Sequence, residues 1–386
     1  MALITCVDDL KRLHKRRVPK MFYDYSESGS WTESTFVRNE SVFNEILLRQ
    51  RVAVDLTNRS QSKEILGERW AMPVALAPTG MAGMQCSDGE IKAAQAAEEF
   101  GVPFTLSTMS ICSIEDVAEN TSKPFWFQLY VMKDRRFVES LIDRAKKANC
   151  SALVLTLDLQ ILGQRHKDIK NQLSAPPRLT IKNLVNMMTK PRWCMGMLAT
   201  RRHQFGNIVG HADGVDDLSS LSSWSAEQLD PSLNWDDIEW IKERWGGPLI
   251  LKGIMDPLDA RHALDSGADA LIVSNHGGRQ LDGAPATLEV LPTIVAEVGD
   301  RISVFMDGGI RSGQDVYKAV ALGAEACFIG KAFLNGLGAM GKAGVMRCLE
   351  LISNELDLTM AFCGYRDINE VDSRTLWQNV EKRSKR

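Results

Sequence analysis

The sequence predicts an α/β protein in which eight parallel strands close into a TIM (β/α)8 barrel. A helical extension precedes the barrel, and one long insertion follows its fourth strand. Three observations support this fold: short apolar runs recur eight times, amphipathic stretches separate them, and several of those stretches end at glycine. We expect a single domain over 1–386, with the barrel at about 73–365 and the insertion at about 159–234.

The apolar runs are short, rich in β-branched residues and bounded by turn-forming residues, as strands are. They are nearly continuous rather than alternating in polarity, which is typical of parallel strands covered on both faces. Eight such runs alternating with helical stretches favour a closed barrel over an open sheet. The predicted strands are 73–78, 104–107, 125–130, 152–158, 249–253, 270–275, 303–308 and 326–330.

The stretches between the strands are apolar at three- and four-residue spacing, which predicts helices packed on the barrel. Glycine just past a helix favours the left-handed conformation that ends it. In the extension, 7–17 predicts a helix with a solvated basic face. The other helices include 88–100, 135–148, 235–245, 257–266 and 314–322, and the terminating glycines are Gly101, Gly267, Gly299 and Gly323.

The composition is that of a globular protein with a large core. Of 386 residues, 44% are hydrophobic and 25% are charged. The net charge of −3 argues against a chain that binds nucleic acid over its whole surface. The eight cysteines form no C-x-x-C pair, and no histidine or cysteine cluster has the spacing of metal ligands. We therefore expect reduced thiols, no metal, no nucleic acid partner and a cytoplasmic location.

Residues 169–212, inside the insertion, contain no aspartate or glutamate. Lysines and arginines alternate there with apolar residues such as Leu184, Met188 and Leu198. One interpretation is a basic amphipathic surface for anionic lipid or a membrane-bound partner. The other is a locally packed or disordered excursion whose basic side chains are solvated. The sequence leaves both interpretations open.

Polar side chains follow every predicted strand. In a TIM barrel the carboxyl ends of the strands carry the active site, so these side chains are expected to converge. A serine or threonine there also caps helices and an aspartate makes turns, so no single position is decisive. The last two strand ends combine Gly308, Gly309 and Gly330 with Arg311 and Lys331. Glycines and basic residues at helix starts are typical of a phosphate site.

Two other strand ends suggest further chemistry. Lys252 ends an apolar strand, where a lysine forms a Schiff base, stabilises an anionic ring or pairs with an acid. His276 is the histidine at a strand end, and Asp158 is an acid at a strand end that can hold an imidazolium. The remaining histidines are expected at the surface: His14, His166, His203, His211 and His262.

Three glycines, Gly336, Gly338 and Gly341, imitate the dinucleotide-binding pattern G-x-G-x-x-G. They lie several residues past the last predicted strand, and too few residues follow for a dinucleotide-binding domain. We interpret them as a tightly packed start to the last helix.

The run 274–283, Ser-Asn-His-Gly-Gly-Arg-Gln-Leu-Asp-Gly, resembles the signature of the FMN-dependent L-2-hydroxy acid oxidising family. The likeness covers nearly the whole chain. It continues through 19–25, 77–80, 128–130, 155–158, 251–253 and 306–311. The stretches 206–208, 229–231, 235–240 and 246–257 are most similar to the bacterial respiratory L-lactate dehydrogenases of that family.

This resemblance implies an FMN cofactor and a role for each site residue. His276 takes a proton from the substrate, Asp158 stabilises the imidazolium, and Tyr130 contacts the substrate hydroxyl. The substrate carboxylate is held by Tyr25, Arg165 and Arg279. The FMN contacts match Thr79, Gly80, Ser107, Gln128, Thr156, Lys252 and Ser274, with the phosphate at Asp307, Gly308, Gly309, Arg311, Gly330 and Lys331. Lys252 would favour the anionic reduced flavin.

The resemblance further implies oxidation of L-lactate to pyruvate, with electrons passed to a quinone or cytochrome. It implies a homotetramer and peripheral contact with the cytoplasmic face of the inner membrane through 169–212. Two residues depart from the family pattern: Lys331 replaces an arginine common in the family, and Met109 replaces the tryptophan of glycolate oxidases. The alternatives are an oxygen-using L-2-hydroxy acid oxidase, an (S)-mandelate-type dehydrogenase, and a catalytically silent barrel that binds phosphate or nucleic acid.

Overall fold

The computed structural model describes residues 3–173, 180–212 and 228–377. Three helices and a hairpin precede the barrel. Helix α1 (Val7–Arg17) matches the predicted extension helix residue for residue, and α2 (Lys20–Ser26) and α3 (Ser34–Ser41) follow it. Strands β1 (Lys63–Ile65) and β2 (Glu68–Trp70) pair as an antiparallel hairpin.

Eight parallel strands form the barrel, one in each predicted run. Neighbouring strands pair in the order β3-β10-β9-β8-β7-β6-β5-β4. A parallel bridge between Leu76 and Phe104 joins the two end strands and closes the sheet. The predicted TIM barrel is therefore confirmed. Its strands are β3 (Val74–Leu76), β4 (Thr105–Ser107), β5 (Trp126–Leu129), β6 (Ala152–Thr156), β7 (Leu249–Ile254), β8 (Ala270–Val273), β9 (Ser303–Asp307) and β10 (Ala326–Ile329).

Helices cover the outside of the barrel. Gly101, Gly267 and Gly323 have positive φ angles, as the predicted helix ends require. Gly299 does not: its φ is −66°, and a Cβ there would lie 2.6 Å from the carbonyl oxygen of Val295. The helices are α4 (Ala82–Gln85), α5 (Gly89–Phe100), α6 (Ile114–Glu119), α7 (Arg135–Lys147), α8 (His166–Lys170), α9 (Ile181–Met188), α10 (Pro191–Ala199), α11 (Asp236–Trp245), α12 (Pro257–Asp265), α13 (Thr287–Val298), α14 (Gly313–Ala321), α15 (Lys331–Met340) and α16 (Lys342–Cys363).

The barrel interior is packed with aromatic and small side chains near the amino ends of the strands. Trp70, from the β1–β2 hairpin, packs edge-on against Trp126 with 5.6 Å between the ring centroids. Phe305 and Phe328 complete this buried cluster. Because the interior is filled at that end, the opposite end of the barrel carries the cavity.

The insertion packs on the N-terminal extension where the structure describes it. Trp193 of α10 stacks on Phe22 of α2 with ring centroids 5.5 Å apart, and its Nε1 donates to the carbonyl of Met84 at 2.9 Å. This part of 169–212 therefore packs locally through Trp193. Residues 174–179 and 213–227 lie outside the described residues. Among the described helices none is both long and apolar enough to cross a bilayer.

The expected surface position of His14 is wrong. Its side chain is fully buried, with Nδ1 2.9 Å from Asn335 Oδ1 and Nε2 2.8 Å from Gln85 Oε1. The cause is helical register, because His14 shares the buried face of α1 with Val7 and Leu10.

The glycines of the dinucleotide-like pattern are tightly packed, as expected. They lie within and just after α15 rather than at the start of the last helix, α16. A Cβ on Gly336 would lie 2.3 Å from the carbonyl oxygen of Gly344, and one on Gly338 would meet the ring of His14. These contacts bring α15 close to both α16 and α1.

Candidate active site

The carboxyl ends of all eight barrel strands open into one cavity of about 360 Å³. Most of the predicted site residues line it. They are Tyr25, Thr79, Gly80, Tyr130, Thr156, Arg165, Lys252, His276, Arg279, Asp307, Gly308, Gly309, Arg311, Gly330 and Lys331. The other four lie directly behind the lining and are joined to it by hydrogen bonds: Ser107, Gln128, Asp158 and Ser274.

His276 and Asp158 form a pair at the ends of β8 and β6. The Nδ1 atom of His276 lies 2.9 Å from Asp158 Oδ1. Burial alone would raise the pKa of Asp158, but the neighbouring His276 and Lys252 more than offset burial and hold it below its ordinary value. Asp158 therefore stays ionised at neutral pH, where it can orient the ring and stabilise its protonated form.

The chain around His276 is in an unusual conformation. His276, Gly277 and Gly278 have consecutive positive φ angles of 59°, 65° and 73°. A Cβ on Gly278 would lie 2.5 Å from the backbone nitrogen of Phe36, so only glycine fits there. This turn directs the imidazole into the cavity, and strained backbone of this kind clusters at functional sites.

Two arginines enter the cavity close to Tyr25 and Tyr130. The guanidinium of Arg279 lies over the Tyr25 ring, 4.7 Å from its centroid. The Nε of Arg165 lies 3.0 Å from Asp168 Oδ2. Burial raises the pKa of the Tyr130 phenol above its ordinary value, so this residue is a neutral hydrogen-bonding group at physiological pH.

Lys252 is buried at the end of β7. Its Nζ lies 2.9 Å from Asp307 Oδ2 and donates to Ser274 Oγ at 2.6 Å. Burial would lower the pKa of this lysine, but Asp307 and Asp158 more than offset it, and the pKa is raised. The sequence predicted three possible roles for Lys252: a Schiff base, stabilisation of an anionic ring, or pairing with an acid. The structure shows the pairing with an acid, Asp307. A Schiff base is disfavoured, because it requires a neutral amine.

A chain of polar side chains joins β4, β5 and β6 behind the cavity. Ser107 Oγ donates to Gln128 Oε1 at 3.0 Å, and Gln128 Nε2 donates to Thr156 Oγ1 at 3.1 Å. These bonds fix the orientation of the Gln128 amide. The wall therefore presents polar atoms in set directions, as recognition of a planar heterocycle requires.

The opposite end of the cavity suits an anion. Gly308 and Gly309 have positive φ angles, and a Cβ on Gly309 would lie 1.8 Å from the carbonyl oxygen of Asn39. The Nε of Arg311 is buried and has no hydrogen-bond partner within the described chain. Burial beside Arg279 and Arg311 lowers the pKa of Lys331 to about 7. An anion bound here would satisfy the Arg311 Nε and favour the charged form of Lys331.

A family model described as FMN-dependent dehydrogenase matches residues 14–378. The chain belongs to this family. It is 41% identical to an L-lactate dehydrogenase of Caulobacter vibrioides over 98% of this chain and 99% of that protein. It is 42% identical to an L-lactate dehydrogenase of Haemophilus influenzae over 97% and 98% of the two chains.

Solved structures of mandelate-oxidising enzymes have the same fold as this FMN-dependent dehydrogenase. A monotopic membrane protein, (S)-mandelate dehydrogenase, superposes with a TM-score of 0.93 at 36% identity, covering 98% of this chain and 100% of the other. A mandelate oxidase with (S)-2-phenylpropionate superposes with a TM-score of 0.82 at 32% identity, covering 98% and 99%.

The cavity of this FMN-dependent dehydrogenase fits the cofactor of the family. Gly308 and Gly309 line the cavity beside Arg311, whose buried Nε has no partner within the described chain and supplies a donor for a phosphate. Lys252 supplies a buried cation on the lining of the cavity, and such a cation stabilises an anionic ring. Among the described residues no cluster of His, Cys, Asp or Glu is suited to a metal ion.

Three residues of the site had no predicted role. Asp168 pairs with Arg165, and their three-residue spacing on a helix was the available signal. Gln280 donates to the carbonyl of Asp158 at 2.6 Å and lies within the 274–283 signature. Asn39 exchanges two amide hydrogen bonds with Asn275 and supports the Gly309 turn. No sequence pattern marks Asn39, because its partner is 236 residues away.

Proposed function

We propose that this enzyme oxidises L-lactate to pyruvate and passes the electrons through FMN to a respiratory acceptor. One observation supports the reaction above all: a histidine paired with a buried carboxylate faces the same cavity as two guanidinium groups. A 2-hydroxy acid needs a base for its hydroxyl and cations for its carboxylate. The full-length relatives named L-lactate dehydrogenase support lactate as the substrate.

Substrate binding is assigned to the arginine side of the cavity. Arg279 and Arg165 hold the substrate carboxylate by charge-assisted hydrogen bonds, with Tyr25 beside them. Tyr130, kept protonated by burial, contacts the substrate hydroxyl. These contacts direct the hydroxyl toward His276.

Proton transfer is assigned to His276. Its Nδ1 donates to Asp158, so its Nε2 is free to accept the hydroxyl proton of the substrate. The ionised Asp158 stabilises the imidazolium that results. FMN held in this cavity would supply the two-electron acceptor for the oxidation of the substrate α-carbon, which leaves the 2-keto acid. Lys252 supplies a fixed positive charge on the cavity lining, which would stabilise the negative charge of reduced flavin.

The test is anaerobic mixing of the purified FMN-loaded protein with L-lactate while its visible absorbance is recorded. Bleaching of the flavin bands, with one pyruvate formed per flavin, is the expected result. Flavin that stays oxidised with L-lactate but bleaches with another L-2-hydroxy acid would reject lactate and keep the reaction class. Flavin that no hydroxy acid reduces would overturn the proposed reaction.

A second candidate substrate is (S)-mandelate, because one wall of the cavity is apolar and adaptable. Met109 and Met132 line it together with Phe205 and Leu162, and thioether side chains repack around ligands of different shape. The structural neighbours that act on mandelate favour this candidate. Comparing kcat/KM for L-lactate and (S)-mandelate in one preparation separates the two. A larger value for (S)-mandelate would make it the preferred substrate.

We propose that the enzyme docks on the cytoplasmic face of the membrane through α9 and α10. On α9, Ile181, Leu184, Val185 and Met188 recur at helical spacing on one face, and each is more than half exposed. Exposed apolar patches mark sites of membrane or protein contact. On α10, Leu198 is 86% exposed. Lys182, Lys190 and Arg192 lie in or next to these helices in the sequence, and such basic residues suit anionic lipid.

The membrane test compares the wild type with a variant carrying I181S, L184S, V185S and M188S. Both are sedimented with vesicles of phosphatidylglycerol and, separately, of phosphatidylcholine. The wild type is expected to sediment with the anionic vesicles and the variant to stay in solution with full activity toward a soluble dye. Equal sedimentation of the two proteins would remove α9 from the docking surface.

The electron acceptor is proposed to be a membrane quinone or a cytochrome rather than oxygen. Docking at a membrane places the flavin enzyme near such acceptors, which is the support for this choice. Turnover is measured with a short-chain quinone and with dissolved oxygen, and peroxide is assayed in both. Rapid peroxide formation in proportion to lactate consumed would instead identify an oxygen-using oxidase.

A further inference from the structure

The two arginines of the cavity are held in different ways. Arg279 Nη1 donates to the carbonyls of Tyr25 and Ser28 and to Ser28 Oγ, all of which are neutral acceptors. The side chain of Arg165 has one polar contact with the described residues, the ion pair of its Nε with Asp168 Oδ2 at 3.0 Å. The position of Arg279 is thus fixed by several groups, whereas that of Arg165 depends on one side chain.

The ion pair is largely removed from water. The side chains of Arg165 and Asp168 are 16% and 12% exposed. Asp168 also lines the cavity, although a carboxylate there repels the carboxylate of a substrate. By its charge alone, Asp168 weakens the binding of a substrate carboxylate. Its position in the cavity therefore suggests a role that outweighs this repulsion.

The geometry of the pair supplies that role. Asp168 engages the Nε edge of Arg165, and neither Nη atom has a partner among the described residues. The other oxygen of Asp168, Oδ1, is buried and also lacks a hydrogen bond within the described chain. The contact is therefore single and lies at the base of the guanidinium. It leaves the outer edge, with its Nη donors, for a second carboxylate.

A second effect acts in the same direction. Arg165 and Arg279 repel each other: burial lowers the pKa of Arg279, and the Arg165 charge lowers it further, while Asp168 opposes both. Without Asp168 the two cations would move apart, and Arg165 is the one that neutral backbone acceptors do not restrain.

We propose that Asp168 is a positioning residue that holds Arg165 with its Nη atoms facing the substrate carboxylate. This inference rests on the proposed function, because it assumes that Arg165 binds that carboxylate. It assigns to Asp168 no contact with the substrate and no part in proton transfer.

Binding of oxalate, a carboxylate that the enzyme does not oxidise, tests the proposal. Its dissociation constant is read from the change in flavin absorbance of the oxidised holoenzyme. Positioning predicts that D168A weakens oxalate binding about tenfold. Direct electrostatics predicts the opposite sign, since removing a negative charge from the cavity would tighten the binding of an anion. Unchanged or tighter binding would therefore overturn the proposal.

A double-mutant cycle locates the effect. If Asp168 acts through Arg165, then D168A has no further effect on oxalate binding in an R165M background. Equal losses in the two backgrounds would show that Asp168 acts elsewhere and would reject the proposal. D168N, which keeps an acceptor for the Arg165 Nε, is expected to restore much of the affinity. It also provides the measurement if D168A does not fold.

The matched control is E115A. Glu115 pairs with Arg144 through two hydrogen bonds on the outside of the barrel and does not line the cavity. Oxalate affinity is expected to be unchanged in this variant. With L-lactate, D168A is expected to raise KM more than it lowers kcat. The oxalate measurement does not depend on turnover, so failure of the lactate assignment and failure of the positioning role can be told apart.

Discussion

The carboxyl-end rim of the barrel and the described part of the insertion present functional groups in opposite ways. On the rim, reactive side chains such as His276 and Lys252 lie at the ends of buried strands, and each is fixed by a named partner, Asp158 for His276 and Asp307 for Lys252. On α9, four apolar side chains share one face and extend into solvent, and none depends on a single partner.

This difference shows how the two regions are expected to respond to change. A rim residue acts at one atom on one proton or one charge, so its loss removes a whole step of the reaction. Each apolar residue of α9 contributes part of the apolar area that contacts the membrane. Its loss therefore removes only part of the free energy of membrane binding. The predictions below test this contrast from the largest expected effect to the smallest.

The largest effect is expected for H276Q. Removing the base that accepts the hydroxyl proton should lower kcat with L-lactate by about 100- to 10,000-fold. FMN content should be largely retained, because His276 is not one of the residues assigned to FMN. The measurement is steady-state turnover with a soluble dye, with flavin content determined from the absorbance of each preparation.

His276 has a positive φ, so a substitution there also disturbs the backbone. H276N controls for this disturbance, because asparagine tolerates the left-handed conformation better than most residues. Both variants should lose activity to a similar extent. An H276N enzyme with near wild-type turnover would show that the loop conformation, and not the imidazole, limits the reaction.

A smaller loss is expected for D158N. The amide keeps an oxygen near His276 Nδ1, but it removes the charge that stabilises the imidazolium. We expect kcat to fall about 100-fold, at the lower end of the range for positioned proton transfer. Rapid-mixing measurement of flavin reduction isolates this step from reoxidation. Unchanged reduction would mean that Asp158 only supports the loop.

The rim could be predicted from sequence because barrel geometry converts chain position into spatial position. Residues that follow eight separate strands, such as Thr79 and Lys331, meet at one end of a parallel barrel whatever their separation in sequence. The roles of Lys252, Arg279 and Tyr25 came from the family signature, and the structure places all three on the cavity.

The features that the sequence did not reveal depend on contacts between distant segments. His14 is buried because α1 packs on α15, where it meets Asn335 of α15 and Gln85 of α4, and an isolated histidine in a basic helix gives little sign of this. Gly299 ends its helix in a right-handed conformation, and it is a glycine because Val295 lies too close to leave room for a side chain. The described residues of the insertion form no named strand that would fix its register, so its packing on α2 had no sequence signal.

A pH-dependent effect is expected at the phosphate end of the rim. Burial lowers the pKa of Lys331 to about 7, whereas a bound phosphate favours its protonated form. Binding above that pH must therefore take up a proton. Between pH 7 and 9 the affinity of the apoprotein for FMN should fall, by about tenfold per unit at most. The measurement is quenching of flavin fluorescence during titration.

K331R is the control for this pH dependence. Arginine keeps its charge throughout the range, so its FMN affinity should be nearly constant between pH 7 and 9. A wild type that binds FMN equally well at pH 7 and 9 would contradict the prediction. It would show that Lys331 is already charged in the apoprotein.

The smallest effect on the reaction is expected for L184S on α9. Turnover with a soluble dye should stay within about twofold of the wild type, because surface substitutions away from special contacts have small effects. Partition onto phosphatidylglycerol vesicles should weaken about fivefold, which corresponds to loss of a half-exposed leucine from the apolar contact.

The matched control is L258S, because Leu258 is similarly exposed but lies on α12. If L184S and L258S weaken vesicle binding equally, the effect is general surface hydrophobicity and not a docking face. If L184S alone abolishes binding, the α9 surface acts through one dominant residue, as the rim does, and the contrast between the two regions fails.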